Sequence, residues 1–559
     1  MKKIKEVIKK IPKEIYLIIF IALILMAPVL EYQVSYGHDF MFHTTNILGN
    51  MESTSILRLH LLPCKIFGGE ISNGFGYGTG IFYPPLSFFV SGYVAKFLSY
   101  LHIDRNYAIT LTQLLVLMFS GITMYIFMHK ITKGNKKISS LSAISYICAP
   151  YILSDIYQRT AMGELFVFIF IPLVFSGLYD LFFEENYKKF YFNFIIGYVG
   201  CMFSHLLMSV FLTIFIIIIF IINYKKVFKW KYIYRLSLAS LFIMLITSIY
   251  TLPMLEHKIL GDYVVFSKES MYTNESLKLY ALHIGDLFSL YDRNADGVNV
   301  YFNFITFALA IITIMYHKKI FKTKKESKLF ITLLIFLILS IISSSRFLLW
   351  EKLPTFLKTI QFPWRLVSFI SFAISALAGY AILFFDNKTS KLAHIIFLIL
   401  VVVFGFNSID YHAIGSAKLN HEIHLGWQLE YWPVKTRNNM QYINKRDNNI
   451  KLLAGEMESK IKINNTPYLL ADVNLKSDKA TVELPRIYYL GYQIFLKDKE
   501  GNAYKLKYKE DKYGFIKTTI PRSGTLEVKY TGTKLYKISL VLSFLGILSL
   551  IIYLNKKNI

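Results

Sequence analysis

The chain contains apolar runs that approach the length of a membrane span. Three of them are "IYLIIFIALILMAPVL", "FLTIFIIIIFII" and "FITLLIFLILSIIS", and hydrophobic residues make up 54% of the 559 residues. Soluble globular chains average about 45–50% apolar residues, and a helix needs about 20 consecutive apolar residues to span a bilayer. The runs therefore predict a polytopic α-helical membrane protein.

The basic residues are distributed in a way that argues against a nucleic-acid partner, despite a formal charge of +26. They occur in short clusters between the apolar runs, and the positive-inside rule places such clusters in the cytoplasm. The rule predicts about twelve transmembrane helices in the cell membrane, with both termini cytoplasmic. The clusters are 2–13, 129–137, 186–189, 223–231, 317–328, 386–391 and 555–559.

The same rule leaves a large first external loop, 31–106, which contains the stretch "YPPLSFFVSGYVAKFLSYL" (83–101). A membrane crossing there would move the basic cluster 129–137 to the outside. Because prolines favour helix starts, we expect an external juxtamembrane helix that lies along the outer surface or partly enters the membrane. The other predicted external segments are 154–164, 254–300, 346–365 and 411–534.

The last external segment differs in composition from the rest of the chain. From about residue 460 to 533, apolar and polar residues alternate, as in "TVELPRIYYLGYQIFLKD" and "TLEVKYTG", with turn signals such as "KEGN" between the runs. This pattern predicts a small extracytoplasmic β domain. We therefore divide the chain into a transmembrane domain (1–410), a mostly β domain (411–534) and a final transmembrane helix with a cytoplasmic tail (535–559).

Ionisable side chains lie at the predicted outer ends of several spans. The densest group is "YGHDFMFHTTN" (36–46), which places His38, Asp39 and His43 directly after the first span. Charged groups at membrane depth cost ~2.5–3.5 kcal/mol on insertion scales and tend to be functional. One topology puts all of these candidates on one side, which allows a single outward-facing site. The other candidates are Asp155, Arg159, Glu164, His205, Asp286 and Arg365.

Four short motifs follow one another in an order typical of a known family: "GHDFMFH", "YPPL", "QRTAMGEL" and "QFPWR". With a first span followed by an acidic loop, they resemble the GT-C superfamily of membrane glycosyltransferases. More specifically, they resemble bacterial membrane proteins called 6-pyruvoyl-tetrahydropterin synthase-related and their YfhO-like relatives. The pterin name does not fit, since the sequence offers no convincing three-histidine zinc cluster. The late "YYLGYQIFL" is similar to the outer β region of YfhO-like proteins.

The resemblance implies inverting transfer of a sugar from a polyprenyl-phosphate donor to a cell-envelope glycan or lipid acceptor on the extracytoplasmic face. Asp39 matches the first-loop acid and is expected to deprotonate the acceptor hydroxyl or to hold a divalent cation, Mg²⁺ or Mn²⁺. The superfamily commonly has a pair of acids there, whereas His38 flanks the acid here, so the metal requirement stays open. Arg365 and Arg159 are expected to bind the donor phosphate. The supporting residues are His38, His43, Glu164, His205 and Asp286.

Each candidate also has a structural interpretation. Asp39 would cap the following helix, Arg365 would extend to the interface from a span end, and Arg159 would form a structural ion pair with Glu164. For the whole chain, the alternatives are a transporter or flippase of a polyprenyl-linked sugar and a non-catalytic scaffold that binds glycans. A transporter often shows internal repeats with matching broken helices, and none are detected. Membrane lipids are the remaining expected partners.

Overall fold

The computed structural model describes residues 11–32, 34–51, 75–104, 107–267, 274–289, 297–354, 357, 360–386, 389–411, 414–415, 430–465 and 468–556. Within these ranges, eight helices are long and apolar enough to cross a membrane, and two apolar helices, Leu206–Ile222 and Phe304–Met315, are shorter. The prediction of a mostly helical chain with a β domain near its end is confirmed. The number of twelve spans stays a prediction.

The α-helices of the described chain fall into spans, shorter segments and two small helices before the β domain. Their bounds are Lys13–Tyr32, Phe40–Met51, Thr79–Phe82, Leu86–Tyr100, Tyr107–Ile131, Lys136–Ile147, Pro150–Tyr157, Met162–Tyr179, Tyr187–Ser204, Leu206–Ile222, Tyr224–Val227, Trp230–Leu260, Asn274–Tyr280, Phe304–Met315, His317–Ile320, Lys324–Ser344, Val367–Tyr380, Thr389–Asn407, Val434–Asn438, Met440–Lys445 and Lys534–Asn555.

The basic clusters meet at one end of the helix bundle. Lys130 Nζ lies 2.6 Å from the carboxylate of Asp180, and Lys325 Nζ lies 2.7 Å from that of Glu184. Lys137 also donates a hydrogen bond to Ser390, and this contact joins two clusters that are far apart in sequence. Segments that the positive-inside rule assigns to one side therefore do share one end of the fold.

The segments predicted to be external meet at the other end of the bundle. The backbone N–H of Asp39 in the first loop donates to the carbonyl of Arg159 at 2.8 Å. The N–H of Val264 donates to the carbonyl of Trp432 at 2.9 Å, which links the segment 254–300 to the start of the last external segment. The contacts bring candidate residues from distant parts of the chain together.

The stretch 83–101 forms the helix Leu86–Tyr100, whose N-cap is Pro85. Its 15 residues are fewer than the ~20 needed to span a bilayer. One face, which includes Phe88 and Leu98, is buried, whereas Tyr100 at its end is exposed. A position along or partly within the membrane surface stays a prediction.

The strands of the described chain are β1 Val34–Ser35, β2 Ile414–Gly415, β3 Lys451–Ala454, β4 Met457–Asn465, β5 Tyr468–Leu475, β6 Ala480–Ile487, β7 Tyr492–Lys497, β8 Ala503–Leu506, β9 Tyr508–Glu510, β10 Phe515–Ile520 and β11 Gly524–Tyr530. β1 pairs with β2, and the β domain consists of two further antiparallel sheets. One has the order β3-β6-β10-β9 and the other the order β4-β5-β11-β7-β8. Buried and partly exposed residues alternate along β5 and β7, so one face of each strand contributes to the core, as expected from the sequence.

The sidedness of the two ends can be measured by cysteine labelling. Cys148 and Cys201 are buried, so a Cys64→Ser background gives a low signal. In this background we expect a membrane-impermeant maleimide to label Lys509→Cys, in the β domain, on intact cells. Lys188→Cys, in a basic cluster, should react only after lysis. Labelling of Lys188→Cys but not of Lys509→Cys on intact cells would show that the topology is the reverse of the predicted one.

Candidate active site

A cavity of about 440 Å³ lies at the end of the bundle where the predicted external segments meet. The candidate residues in it come from the first loop, the segment around the start of the helix Met162–Tyr179, the junction at residue 205 and the start of the span at residue 363. Six of the eight residues assigned to a site from the sequence line it: Asp39, His43, Arg159, Glu164, His205 and Arg365.

The backbone before Asp39 is held against the segment that carries Arg159. Gly37 N–H donates to Thr160 Oγ1 at 3.1 Å, and the N–H groups of His38 and Asp39 donate to the carbonyls of Gln158 and Arg159. A Cβ on Gly37 would lie 2.3 Å from the carbonyl carbon of Arg159, so this close approach requires glycine. These bonds fix Asp39 beside the arginine.

The carboxylate of Asp39 lines the cavity and pairs with no residue in the described part of the chain. Asp39 directly precedes the helix Phe40–Met51, and its backbone carbonyl accepts from His43 N–H at 3.0 Å, so it occupies the capping position. Among the residues that the structure describes, none donates a hydrogen bond to the side-chain oxygens or forms an ion pair with them. The side chain is therefore open to a ligand.

Arg159 lies at the centre of a buried ion cluster. Its Nη1 donates to Glu164 Oε2 at 2.8 Å and to the carboxylate of Asp155. The guanidinium carbon lies 4.6 Å from the centre of the Trp364 ring, and Tyr151 Oη donates to Glu164 Oε1 at 2.5 Å. All three charged side chains are buried. Arg159 and Glu164 thus form a structural ion pair that also lines the cavity.

Arg365 joins this cluster from the opposite side. Its Nε lies 3.6 Å from Glu164 Oε2, and its Nη1 donates to the carbonyl of Ile360 at 3.0 Å and to Gln361 Oε1 at 2.9 Å. The residue is only 8% exposed, and within the described chain its Nε has no hydrogen-bond acceptor. Arg365 is therefore anchored by Ile360, Gln361 and Glu164 while its side chain lines the cavity.

Two residues next to these arginines have an unusual backbone conformation. Thr160 and Gln361 have φ values of +53° and +66°, although neither is glycine. Each such conformation costs about 1–3 kcal/mol and persists where the surroundings determine it. Thr160 follows Arg159 and donates its hydroxyl to the carbonyl of Ser35, while Gln361 accepts from Arg365. The strained turns therefore coincide with the residues that position the arginines.

The two cavity histidines are neutral at physiological pH. Burial lowers the pKa of His43 to about 4, and its Nδ1 has no hydrogen-bond partner in the described structure. Burial, together with the positive charge of Arg365, lowers the pKa of His205 to about 3. Neutral imidazoles can donate or accept one hydrogen bond at each nitrogen without adding charge to the site.

An apolar wall completes the cavity. Leu206, Leu207 and Val210 contribute to it from one helix, and Met254 and Leu255 contribute from another. Val210 and Leu255 are 37% and 42% exposed. The wall is therefore apolar and partly open beside the ionic cluster.

The cavity also contains residues that were not identified from the sequence. Tyr83 belongs to the "YPPL" motif, and its hydroxyl lies 2.3 Å from where a Cβ on Gly163 would be. Burial raises the pKa of Tyr83, and nearby Asp39 raises it further. Glu430 lines the cavity too, and burial raises its pKa. The motif could have indicated Tyr83, but no sequence signal pointed to Glu430.

His38 and Asp286 do not line the cavity, so a role for either in the site stays a prediction. The side chain of His38 is exposed, since the turn that directs Asp39 inward directs its neighbour outward. Asp286 accepts a hydrogen bond from His283 N–H at 2.8 Å and caps the short 3₁₀ helix Ile284–Leu287. Its carboxylate has a local structural role.

A metal ion at Asp39 stays a prediction that the donor set does not favour. Within the described ranges, no group of three His, Cys, Asp or Glu side chains is arranged to hold an ion. Asp39 alone does not provide the several ligands that Mg²⁺ or Mn²⁺ needs from protein and substrate together.

The chain resembles a solved membrane-enzyme structure in fold but has no match in sequence. No protein-family model and no curated protein match the sequence. Among solved structures, the chain is similar to the crystal structure of ArnT from Cupriavidus metallidurans bound to undecaprenyl phosphate, with a TM-score of 0.42 and 12% identity over 73% of this chain and 77% of that chain. A likeness of this size does not establish an activity, which has to be inferred from the cavity itself.

Replacement of Arg159 should destabilise the fold strongly. Arg159→Met leaves the buried carboxylates of Asp155 and Glu164 without their main partner, so we expect a loss of ~3–5 kcal/mol in the free energy of unfolding. Lys231→Met is the control, because it removes an exposed, solvent-screened ion pair with Glu185 and should change the free energy of unfolding far less. Denaturant titration in detergent micelles measures both. Equal losses would show that the buried cluster is not a stabilising unit.

Stability should also depend on pH through His43. The unfolded imidazole takes up a proton near pH 6.5, but the folded one does so only near pH 4. The unfolded state then binds more protons between these values, so stability falls as the pH is lowered from about 6.5 to 4. We expect His43→Gln to lose less stability over this window than the wild type, whereas the exposed control His38→Gln should match the wild type. Identical pH slopes for all three would contradict the assignment.

Proposed function

We propose that the chain is a membrane glycosyltransferase that transfers a sugar, with inversion, from a polyprenyl-phosphate donor to an acceptor on the extracytoplasmic face. One observation carries the proposal. A single cavity is lined by the carboxylate of Asp39, which pairs with no described residue, by the guanidinium of Arg365, and by an apolar wall in which Val210 and Leu255 are partly exposed. The arginine suits the donor phosphate, the apolar wall suits the lipid tail, and the carboxylate suits the acceptor hydroxyl.

The arginine end of the cavity suits the donor phosphate. A guanidinium can bind two phosphate oxygens at once, and Arg365 is already oriented by its bonds to Ile360 and Gln361. Arg159 attracts a phosphate less strongly than Arg365 does, because Asp155 and Glu164 both contact it and neutralise its charge. We therefore assign the principal phosphate contact to Arg365, with Arg159 and His205 beside it.

The apolar wall suits the isoprenoid chain. A polyprenyl tail has no polar groups, so it gains about 25 cal/mol for each Å² that leaves water and needs a path that stays apolar. Leu206, Val210 and Leu255 provide such a path from the phosphate end to the exposed surface. A donor could then bind while most of its tail stays in the bilayer.

Asp39 suits the acceptor. Its carboxylate would accept the proton of an acceptor hydroxyl while that oxygen bonds to the anomeric carbon of the sugar. The bond between this carbon and the phosphate oxygen breaks on the opposite face, so the configuration inverts. The polyprenyl phosphate leaves with the bonding electrons, and Arg365 stabilises the charge that develops on it.

The reaction can be tested with Asp39→Asn. Purified protein is supplied with polyprenyl-phosphate sugars and candidate acceptors, and product formation is measured. We expect Asp39→Asn to lower turnover by about 10²–10⁴-fold, which is typical for loss of a general base. The controls are His38→Gln and Asp286→Asn, whose side chains lie outside the cavity and should leave turnover unchanged.

Normal turnover by Asp39→Asn would contradict the role of this residue. Movement of the donor across proteoliposome membranes without any sugar transfer would instead favour the transporter hypothesis. Binding of glycans without either activity would favour a scaffold.

A further inference from the structure

A second cavity of about 310 Å³ lies where the β domain meets the helix bundle. It shares no lining residue with the candidate active site. One side comes from the end of the helix Trp230–Leu260, the opposite side from β7 and β8, and the remainder from the start of the final helix. The residues used below are Glu256, Leu260, Lys505, Thr533, Lys534 and Lys537.

Positive charge dominates this cavity. Lys505, Lys534 and Lys537 line it, and in the described structure none of them forms an ion pair. Glu256 is the one acid among the lining residues, and its carboxylate accepts a hydrogen bond from the hydroxyl of Thr533 at 2.5 Å. Three lysines against one carboxylate leave a net charge of about +2, so the cavity favours an anion.

A pair of glycines shapes the cavity. Gly491 and Gly532 have φ values of +110° and +74°, which are left-handed conformations. A Cβ on Gly491 would lie 2.9 Å from the Cα of Gly532, so side chains there would separate the β domain from the final helix. The close approach of the two glycines thus shapes the lysine-lined space between the β domain and the final helix.

The surroundings of the cavity are apolar. Ile259 and Leu260 are 77% and 66% exposed at the end of their helix, and Ile538 and Val541 are exposed along the final helix. Both helices are long and apolar enough to cross a membrane, so these side chains would contact lipid tails. The lysines then lie at the level of the lipid headgroups, where the phosphate groups of phospholipids are abundant.

We propose that this cavity binds the phosphate headgroup of an anionic phospholipid, with its acyl chains along the exposed faces of the two helices. The headgroup contacts the β domain through Lys505 and the final helix through Lys534 and Lys537. Binding therefore holds the β domain against the bundle. The proposal does not depend on the activity assigned to the first cavity.

The test compares thermal unfolding of the full chain in detergent with added phosphatidylglycerol or phosphatidylcholine. We expect phosphatidylglycerol to raise the midpoint of the wild type by several degrees more than phosphatidylcholine does. The triple variant Lys505→Gln, Lys534→Gln, Lys537→Gln should lose this difference. A matched variant, Lys479→Gln, Lys499→Gln, Lys509→Gln, removes three exposed lysines elsewhere in the β domain and should keep it.

Two further measurements distinguish a phospholipid site from a general anion site. Inorganic phosphate alone should give no shift, and an equal shift with phosphate would show a simple anion site. Native mass spectrometry of the single variant Lys537→Gln, which changes one exposed residue, should show weaker retention of phosphatidylglycerol than the wild type. Equal retention by this variant, or equal shifts in both triple variants, would overturn the proposal.

Discussion

The ion cluster of Arg159, Asp155, Glu164 and Arg365 is the interaction on which the site depends. It places two guanidinium groups and two carboxylates in a buried position, where an unpaired charge would be very costly. Because the partners come from the segment 150–164 and the start of a distant span, the cluster fixes these elements relative to each other. The backbone of the segment then holds the loop that carries Asp39.

The charge balance of the cluster has a consequence for binding. Glu164 already neutralises part of the charge on Arg365, so an incoming phosphate has to compete with this carboxylate for the guanidinium. A partly compensated arginine binds an anion less tightly than a free one would. For the proposed transfer this would be useful, because the polyprenyl phosphate that it releases has to leave. Tight retention of the product would limit turnover.

Short motifs predicted residues that the fold brings together, whereas the other cavity residues depend on tertiary packing. The motifs single out Asp39, Arg159, Glu164 and Arg365, and these four line one cavity. His38 belongs to the same motif as Asp39, but its side chain is exposed, and Asp286 caps a short 3₁₀ helix outside the cavity. No motif marks Glu430, whose segment is brought to the cavity by contacts such as the bond from Val265 N–H to its carbonyl.

The position of a bound polyprenyl phosphate is the decisive test of the proposed donor site. A cryo-EM structure of the full chain in lipid nanodiscs with a polyprenyl phosphate would locate the phosphorus atom. We expect the phosphate oxygens within hydrogen-bonding distance of Arg365, with the tail along Leu206, Val210 and Leu255. A phosphate bound away from Arg365, with the cavity still empty, would contradict it.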